Sequence, residues 1–250
     1  MDGLRERISR LYTLAESSEF VFVSPLGPFS LQGRSYHLPR FIYFGPRSSD
    51  SAVRLAFLAG HDGADARISE ALLAWLEQLA TAPDLGEGLN LTFFPVVNPS
   101  GFQQHRRTNT LGQDLDAQHW NLSPSAEINL LAQDARLRAY HGFILLKCGD
   151  VPRVTGRVRF GIGSFDTSPR TIVEPQQDDP YPVQWLSEPT GGTVREGPLS
   201  LSEDLPFAPF EITLTLPARW PADQMTAATV DTLRRFIFRY RSRLAYGIHL

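Results

Sequence analysis

The strongest constraint on this chain is a series of short apolar runs set between helical patterns. Val53 to Ala59 reads VRLAFLA, residues 89–98 read LNLTFFPVVN, residues 142–148 read GFILLKC and residues 210–217 read FEITLTLP. Short runs of this kind, bounded by Gly, Pro or Asn, predict strands. Residues 157–163, RVRFGIG, predict another, and residues 20–45 predict short strands broken by Pro and Gly. Between the runs lies an amphipathic helix over Ile68–Leu79, with Ile68, Leu72, Trp75, Leu76 and Leu79 on one face. Ser123 is placed to cap a second helix. Thr226 to Leu244 predicts a closing helix with Val230, Leu233, Ile237, Tyr240 and Leu244 inward, and Leu4 to Leu14 predicts an opening one. Apolar strands alternating with helices imply a sheet covered on both faces. No boundary divides residues 1–250, so a single domain is expected. Residues 164–208, rich in Pro, Gly, Asp and Ser, are expected to form a long functional loop region.

The composition excludes several classes of function. A hydrophobic share of 42% and a charged share of 20% are those of an ordinary globular protein. A net charge of -3 gives no electrostatic basis for binding nucleic acid or an anionic membrane. The N-terminus lacks the apolar core of a secretory signal. No apolar run approaches the ~20 residues of a membrane span. The one cysteine, Cys148, can form no internal disulfide, which suits a reducing compartment, and a cytoplasmic location is expected. Of the 24 Lys and Arg residues, only Lys147 is a lysine.

The densest chemistry lies where the Val53–Ala59 run ends. Gly60 to Asp65 reads GHDGAD and precedes a helix, and such strand-to-helix loops carry the ligand sites of α/β proteins. His61, Asp62 and Asp65 are metal-ligand types. Two carboxylates spaced Asp-x-x-Asp suit a hard cation better than zinc.

Residues 98–120, NPSGFQQHRRTNTLGQDLDAQHW, carry a family resemblance. Asn98-Pro99-Ser100-Gly101, then Arg107-x-Asn109, then Gly112-x-Asp114-Leu115 resemble the Asn-Pro-Asp-Gly, Arg and Gly-x-Asp-Leu-Asn-Arg-Asn-Phe series of the zinc carboxypeptidases. The resemblance extends back to GHDGAD, in the slot of that family's Gly-x-His-x-x-Glu. It runs forward to FILLKCGD, ITLTLP and the final helix, covering most of residues 20–245. It implies one α/β domain with a mixed, twisted sheet of about eight strands and helices on both faces. It also implies zinc as the cofactor of an intact site, a small peptide or acyl-amino-acid-like ligand, and a loop 164–208 beside the pocket mouth.

Carried over residue by residue, the resemblance implies an altered site. Gly60 puts the His slot at Asp62 and the Glu slot at Asp65, with His61 one residue early. The third ligand slot falls on Cys148, or on Lys147 if the strand is shifted by one. A thiolate can ligate zinc, whereas a charged ammonium has no lone pair to give. Arg107 takes the place of the oxyanion-stabilising arginine. Asp116-Ala117 replaces the Asn-Arg pair that grips the substrate carboxylate, turning a cationic clamp into an anionic one. Thr215 takes the place of the catalytic Glu; Glu211, four residues earlier, serves only in a different register.

Plainer roles compete with each of these. The GHDGAD loop can be polar, with Asp65 capping the next helix. Cys148 can be a small buried hydrophobe. Arg107 can form a structural salt bridge, Asp114 can be paired with an Arg, and Glu211 can face solvent. His105, His119 and His141 fall in no ligand-spaced pair. Three functions follow. The chain is a pseudoenzyme that keeps a pocket for binding or regulation, a metal-dependent hydrolase with a changed ligand set, or a partner-binding module without a working pocket. So many changed chemical positions favour the first; for the cofactor, zinc by family resemblance and no metal stand as equal alternatives.

Overall fold

The computed structural model describes residues 2–49, 52–118, 120, 123–160, 179–186 and 209–247. Eight strands form one mixed sheet in the order β1-β4-β6-β5-β7-β10-β8-β9. They are β1 Val21–Val23, β4 Phe41–Phe44, β5 Val53–Leu58, β6 Leu89–Phe94, β7 Gly142–Gly149, β8 Thr155–Phe160, β9 Gln184–Trp185 and β10 Phe210–Pro217. The four central strands β6, β5, β7 and β10 are mutually parallel, and β4 and β8 flank them antiparallel. A separate hairpin pairs β2 (Leu26–Leu31) with β3 (Arg34–Leu38). Its two turn residues, Gln32 and Gly33, have φ of 49° and 75°, the geometry of a two-residue turn whose twist matches its strands.

Both faces of the sheet are covered, as the apolar strands require. Helices α1 (Asp2–Ser17), α2 (Arg67–Thr81) and α5 (Ala222–Gly247) pack on one face. Trp75, Leu72, Phe57, Ile144 and Leu214 lie at the centre of that core. The hairpin and α4 (Ala126–Arg138) cover part of the other face, around Leu58, Phe143, Ile128 and Trp120. The short helix α3 (Pro99–Gln104) follows β6.

Several element ends differ from expectation, each for a local reason. The run 89–98 stops pairing at Phe94 because Pro95 has no N–H to donate. The second helix is capped by Ser125 rather than Ser123: Pro124 keeps Ser123 out of the helical region, and Ser125 Oγ accepts from Ile128 N at 3.5 Å. The closing helix begins at Ala222, directly after Pro221, whose carbonyl accepts from Met225 N at 3.0 Å. The described part of 164–208 contains β9 on the sheet edge, and the rest of that region lies outside the described residues.

A buried polar network ties α4 to the sheet. Asp134, 4% exposed, bonds the Arg40 guanidinium and accepts from the Tyr140 hydroxyl at 2.6 Å and Arg138 Nε at 3.3 Å. Burial, helped by the Asp134 charge, pushes the Tyr140 hydroxyl well above its ordinary pKa. Removing one member of a buried ion pair leaves an uncompensated charge. Asp134→Ala should therefore lower unfolding free energy by about 3 kcal/mol in urea titration.

His141 has a related role at the start of β7. Its Nδ1 accepts from Arg54 N at 3.1 Å, and burial, with the Arg54 charge, lowers its pKa to about 4. The unfolded chain therefore takes up this proton more readily than the folded one. Its contribution is complete above the ordinary pKa of 6.5 and is lost as pH falls toward 4. Thermal melts across this window should show the wild type losing stability with acid, with a flatter profile for His141→Asn.

Candidate functional site

The period of two along β7 sets the chemistry of its two faces. Ile144, Leu146 and Cys148 point toward α2 and α5, whereas Phe143, Leu145 and Lys147 point to the opposite face. Pairing extends this second face across three strands. The register sets Phe143 beside Glu211 and Arg159, Leu145 beside Thr213 and Arg157, and Lys147 beside Thr215 and Thr155. Neighbouring strands are ~4.8 Å apart, so each row spans roughly 10 Å.

Over these rows lies a cavity of about 310 Å³. Leu115, Trp120, Leu145 and Leu186 give it an apolar wall, and His61, Asp116 and Gln118 close it opposite the strands. Two ion pairs line it. Lys147 Nζ meets Asp116 Oδ1 at 3.2 Å, and Arg159 Nη1 meets Glu211 Oε1 at 3.5 Å. Glu211 is only 5% exposed, so the solvent-facing role is corrected: β10 is a central strand, covered on both sides.

The GHDGAD loop is pinned by backbone geometry. Gly60 has φ of 70°, and a Cβ there would come within 2.7 Å of the Pro95 carbonyl oxygen. Asn98, fully buried, donates from Nδ2 to the carbonyls of His61 and Arg107 at 3.1 Å each, while its Oδ1 accepts from Gly101 N at 2.8 Å. This one amide ties the GHDGAD loop, the NPSG turn and the following segment together. The loop then divides its side chains. His61, 6% exposed, lines the cavity, while Asp62 and Asp65 are not among its lining residues.

Asp62 Oδ1 accepts from Ala64 N at 2.8 Å. Both Asp65 oxygens are held by the Arg67 guanidinium, at 2.9 and 2.5 Å, and Oδ1 also accepts from Arg67 N at 3.0 Å. Asp65 thus bonds the first turn of α2 without being its N-cap, which is Ala66. Burial pushes the Asp65 carboxyl up, but the Arg67 bonds outweigh it and hold the carboxyl below the usual range. Cys148 lies 3.6 Å from Met225 Sδ, with the Asp65 carboxylate close enough to act on its thiol. Burial, reinforced by the Asp65 charge, pushes its thiol up to about 12. Asp65 and Cys148 therefore meet, but on the face of the sheet away from the cavity. Among the described residues, no group of three His, Cys, Asp or Glu side chains is placed to hold a metal ion.

Arg107 lies outside the cavity lining, 65% exposed and 3.1 Å from Asp114. Asp114 also caps the turn Leu115–Ala117 that carries Asp116, accepting from Asp116 N at 3.0 Å. His105 ends α3 in the left-handed region, and His119 lies outside the described residues. Sequence reasoning missed Arg157, Arg159, Thr213 and Gln118. The signal for the arginines was present in RVRF, whose period of two puts Arg157 and Arg159 on one face of β8.

Known structures share this architecture. A metallo-carboxypeptidase from Burkholderia cenocepacia superposes with a TM-score of 0.70 at 16% identity, over 95% of this chain and 69% of that one. A candidate metallopeptidase from Shewanella denitrificans gives 0.60 at 20% identity, over 94% and 87%. A metallo-carboxypeptidase from Pseudomonas aeruginosa, in complex with (2-guanidinoethylmercapto)succinic acid, gives 0.60 at 20% identity, over 94% and 69%. No protein-family model and no curated protein matches the sequence. The fold is that of the zinc carboxypeptidases, as the motif series implied. No helix among the described residues is long and apolar enough to cross a membrane.

The thiolate is the reactive form of cysteine, so a thiol raised by burial should react slowly. Native Cys148 should react with Ellman's reagent at pH 8 at least ~10-fold more slowly than in the denatured chain, because so little thiolate is present.

Proposed function

For a chain with the zinc-carboxypeptidase fold, we propose a function as a pseudoenzyme: a protein that binds a small ligand in its cavity and performs no zinc-dependent hydrolysis. The observation that carries this is the ion pair between Lys147 and Asp116 at 3.2 Å. Lys147 stands on the cavity face at one of the two positions considered for the third metal ligand, and Asp116 stands where the family resemblance puts part of the carboxylate clamp. Zinc requires donors with available lone pairs, typically imidazole, thiolate or carboxylate. A protonated amine offers none, and here it is held by a carboxylate.

The remaining donors do not fit a zinc centre either. His61 is the only imidazole lining the cavity among the described residues. Asp65 is engaged on both oxygens by Arg67, and the Cys148 thiol is protonated on the far side of the sheet. Thr215, in the slot of the catalytic base, has a hydroxyl far too weakly basic to take a proton from water. What the cavity offers is recognition: an apolar wall, hydroxyls from Thr213 and Thr215, and charged groups held in place by ion pairs.

Protein purified without added metal should contain well under one zinc per chain by mass spectrometry, and EDTA should leave its melting temperature unchanged. Stoichiometric zinc that is lost on Asp62→Ala would overturn the proposal. So would turnover of peptide or acyl-amino-acid substrates that chelation abolishes.

A further inference from the structure

The described residues that line the cavity do not balance in charge. Lys147 is matched by Asp116 and Arg159 by Glu211. Arg157 makes the third cation, and it forms no ion pair among the described residues. Three cations against two carboxylates leave one formal positive charge. Its position is fixed by the sheet: Arg157 pairs with Thr213 on β10, which pairs with Leu145 on β7. The middle row therefore runs from guanidinium through hydroxyl to apolar side chain over roughly 10 Å, two strand spacings. Leu145 continues into the apolar wall with Trp120, whose ring meets Phe143 edge-on at 6.1 Å.

A guanidinium presents a planar fork of donors that fits an oxyanion on two atoms at once. With the other two cations already engaged by carboxylates, Arg157 is the group able to take a new anion without displacing an internal partner. We propose that the cavity binds a small organic monoanion with an apolar body, its oxyanion headgroup on Arg157 and its body against Leu145 and Trp120. This rests on the ligand-binding function proposed above and names the chemistry of the ligand. It also makes Arg157, on β8, the residue that determines specificity, in place of the Asp116-Ala117 position. There a carboxylate repels the anion that an arginine would attract.

The test uses three probes of similar shape: phenylacetate, phenylphosphonate and neutral phenylacetamide, titrated by calorimetry into the full chain. At least one of the two anions should bind, and at least ~10-fold tighter than the amide, the size of effect expected for a charge-assisted bond. The tighter of the two identifies the headgroup. Arg157→Gln should remove that preference, and Arg157→Lys should restore only part of it, because a point charge lacks the fork. Arg157 is exposed, so both variants should fold, which circular dichroism checks.

Lys147, as the only lysine, reports the location. After reductive methylation with 13C-formaldehyde, its dimethylamine resonance should shift on adding the bound anion. Anions that bind no better than the amide, or equally well to wild type and Arg157→Gln, would overturn the inference and leave the cavity-binding function standing. Failure of all three probes to bind, or binding that leaves the Lys147 resonance unmoved, would also overturn it. The zinc assay above tests the cavity function separately.

Discussion

The chemistry of this protein depends on the pairing of β7 with β10, which fixes which way Lys147 and Cys148 point. Adjacent residues of a strand face opposite sides of the sheet. A strand locked between two parallel neighbours cannot slip by one residue without turning every side chain to the other face, which here would drive Lys147 into the core under α2 and α5. Ile144, Leu146 and Cys148 are held against α2 and α5, so Lys147 is held against the cavity. Its ammonium then meets Asp116, and the two charges close one end of the cavity floor.

The GHDGAD loop follows a similar division of faces. Gly60 lets the chain turn tightly beneath Pro95, and Asn98 secures the loop from below. After that turn, His61 enters the cavity while Asp65 is drawn toward Arg67 and Cys148. Three residues that look like one metal site in the sequence are thus divided between different environments. In one, an arginine saturates a carboxylate beside a half-buried thiol. In the other, an imidazole faces ion pairs and threonine hydroxyls.

Much of the fold was legible because its signals are local. The apolar runs at 53–59, 142–148 and 210–217, and the helix at 68–79, depend on periodicity within each segment. Errors arose where a neighbour overrode a propensity, as Pro124 did in moving the cap from Ser123 to Ser125. The candidate site was legible only in part. His61, Asp116, Lys147, Thr215 and Glu211, each weighed from sequence, do line the cavity, whereas Asp62, Asp65, Cys148 and Arg107 do not. Arg157 and Arg159 escaped notice because their partners, Thr213 and Glu211, lie more than fifty residues away in the chain.

By itself the sequence determined the class of fold and which residue types stand at the slots that the family resemblance marks. Both are properties of residue identity and spacing, which need no third dimension. The tertiary structure decided which residues share a space. Strand register put Lys147 rather than Cys148 on the cavity face, and antiparallel pairing of β8 with β10 brought Arg157 across from Thr213. Those juxtapositions join segments far apart in the chain. They are fixed by the packing of two apolar cores on opposite faces of one sheet, which no local pattern encodes.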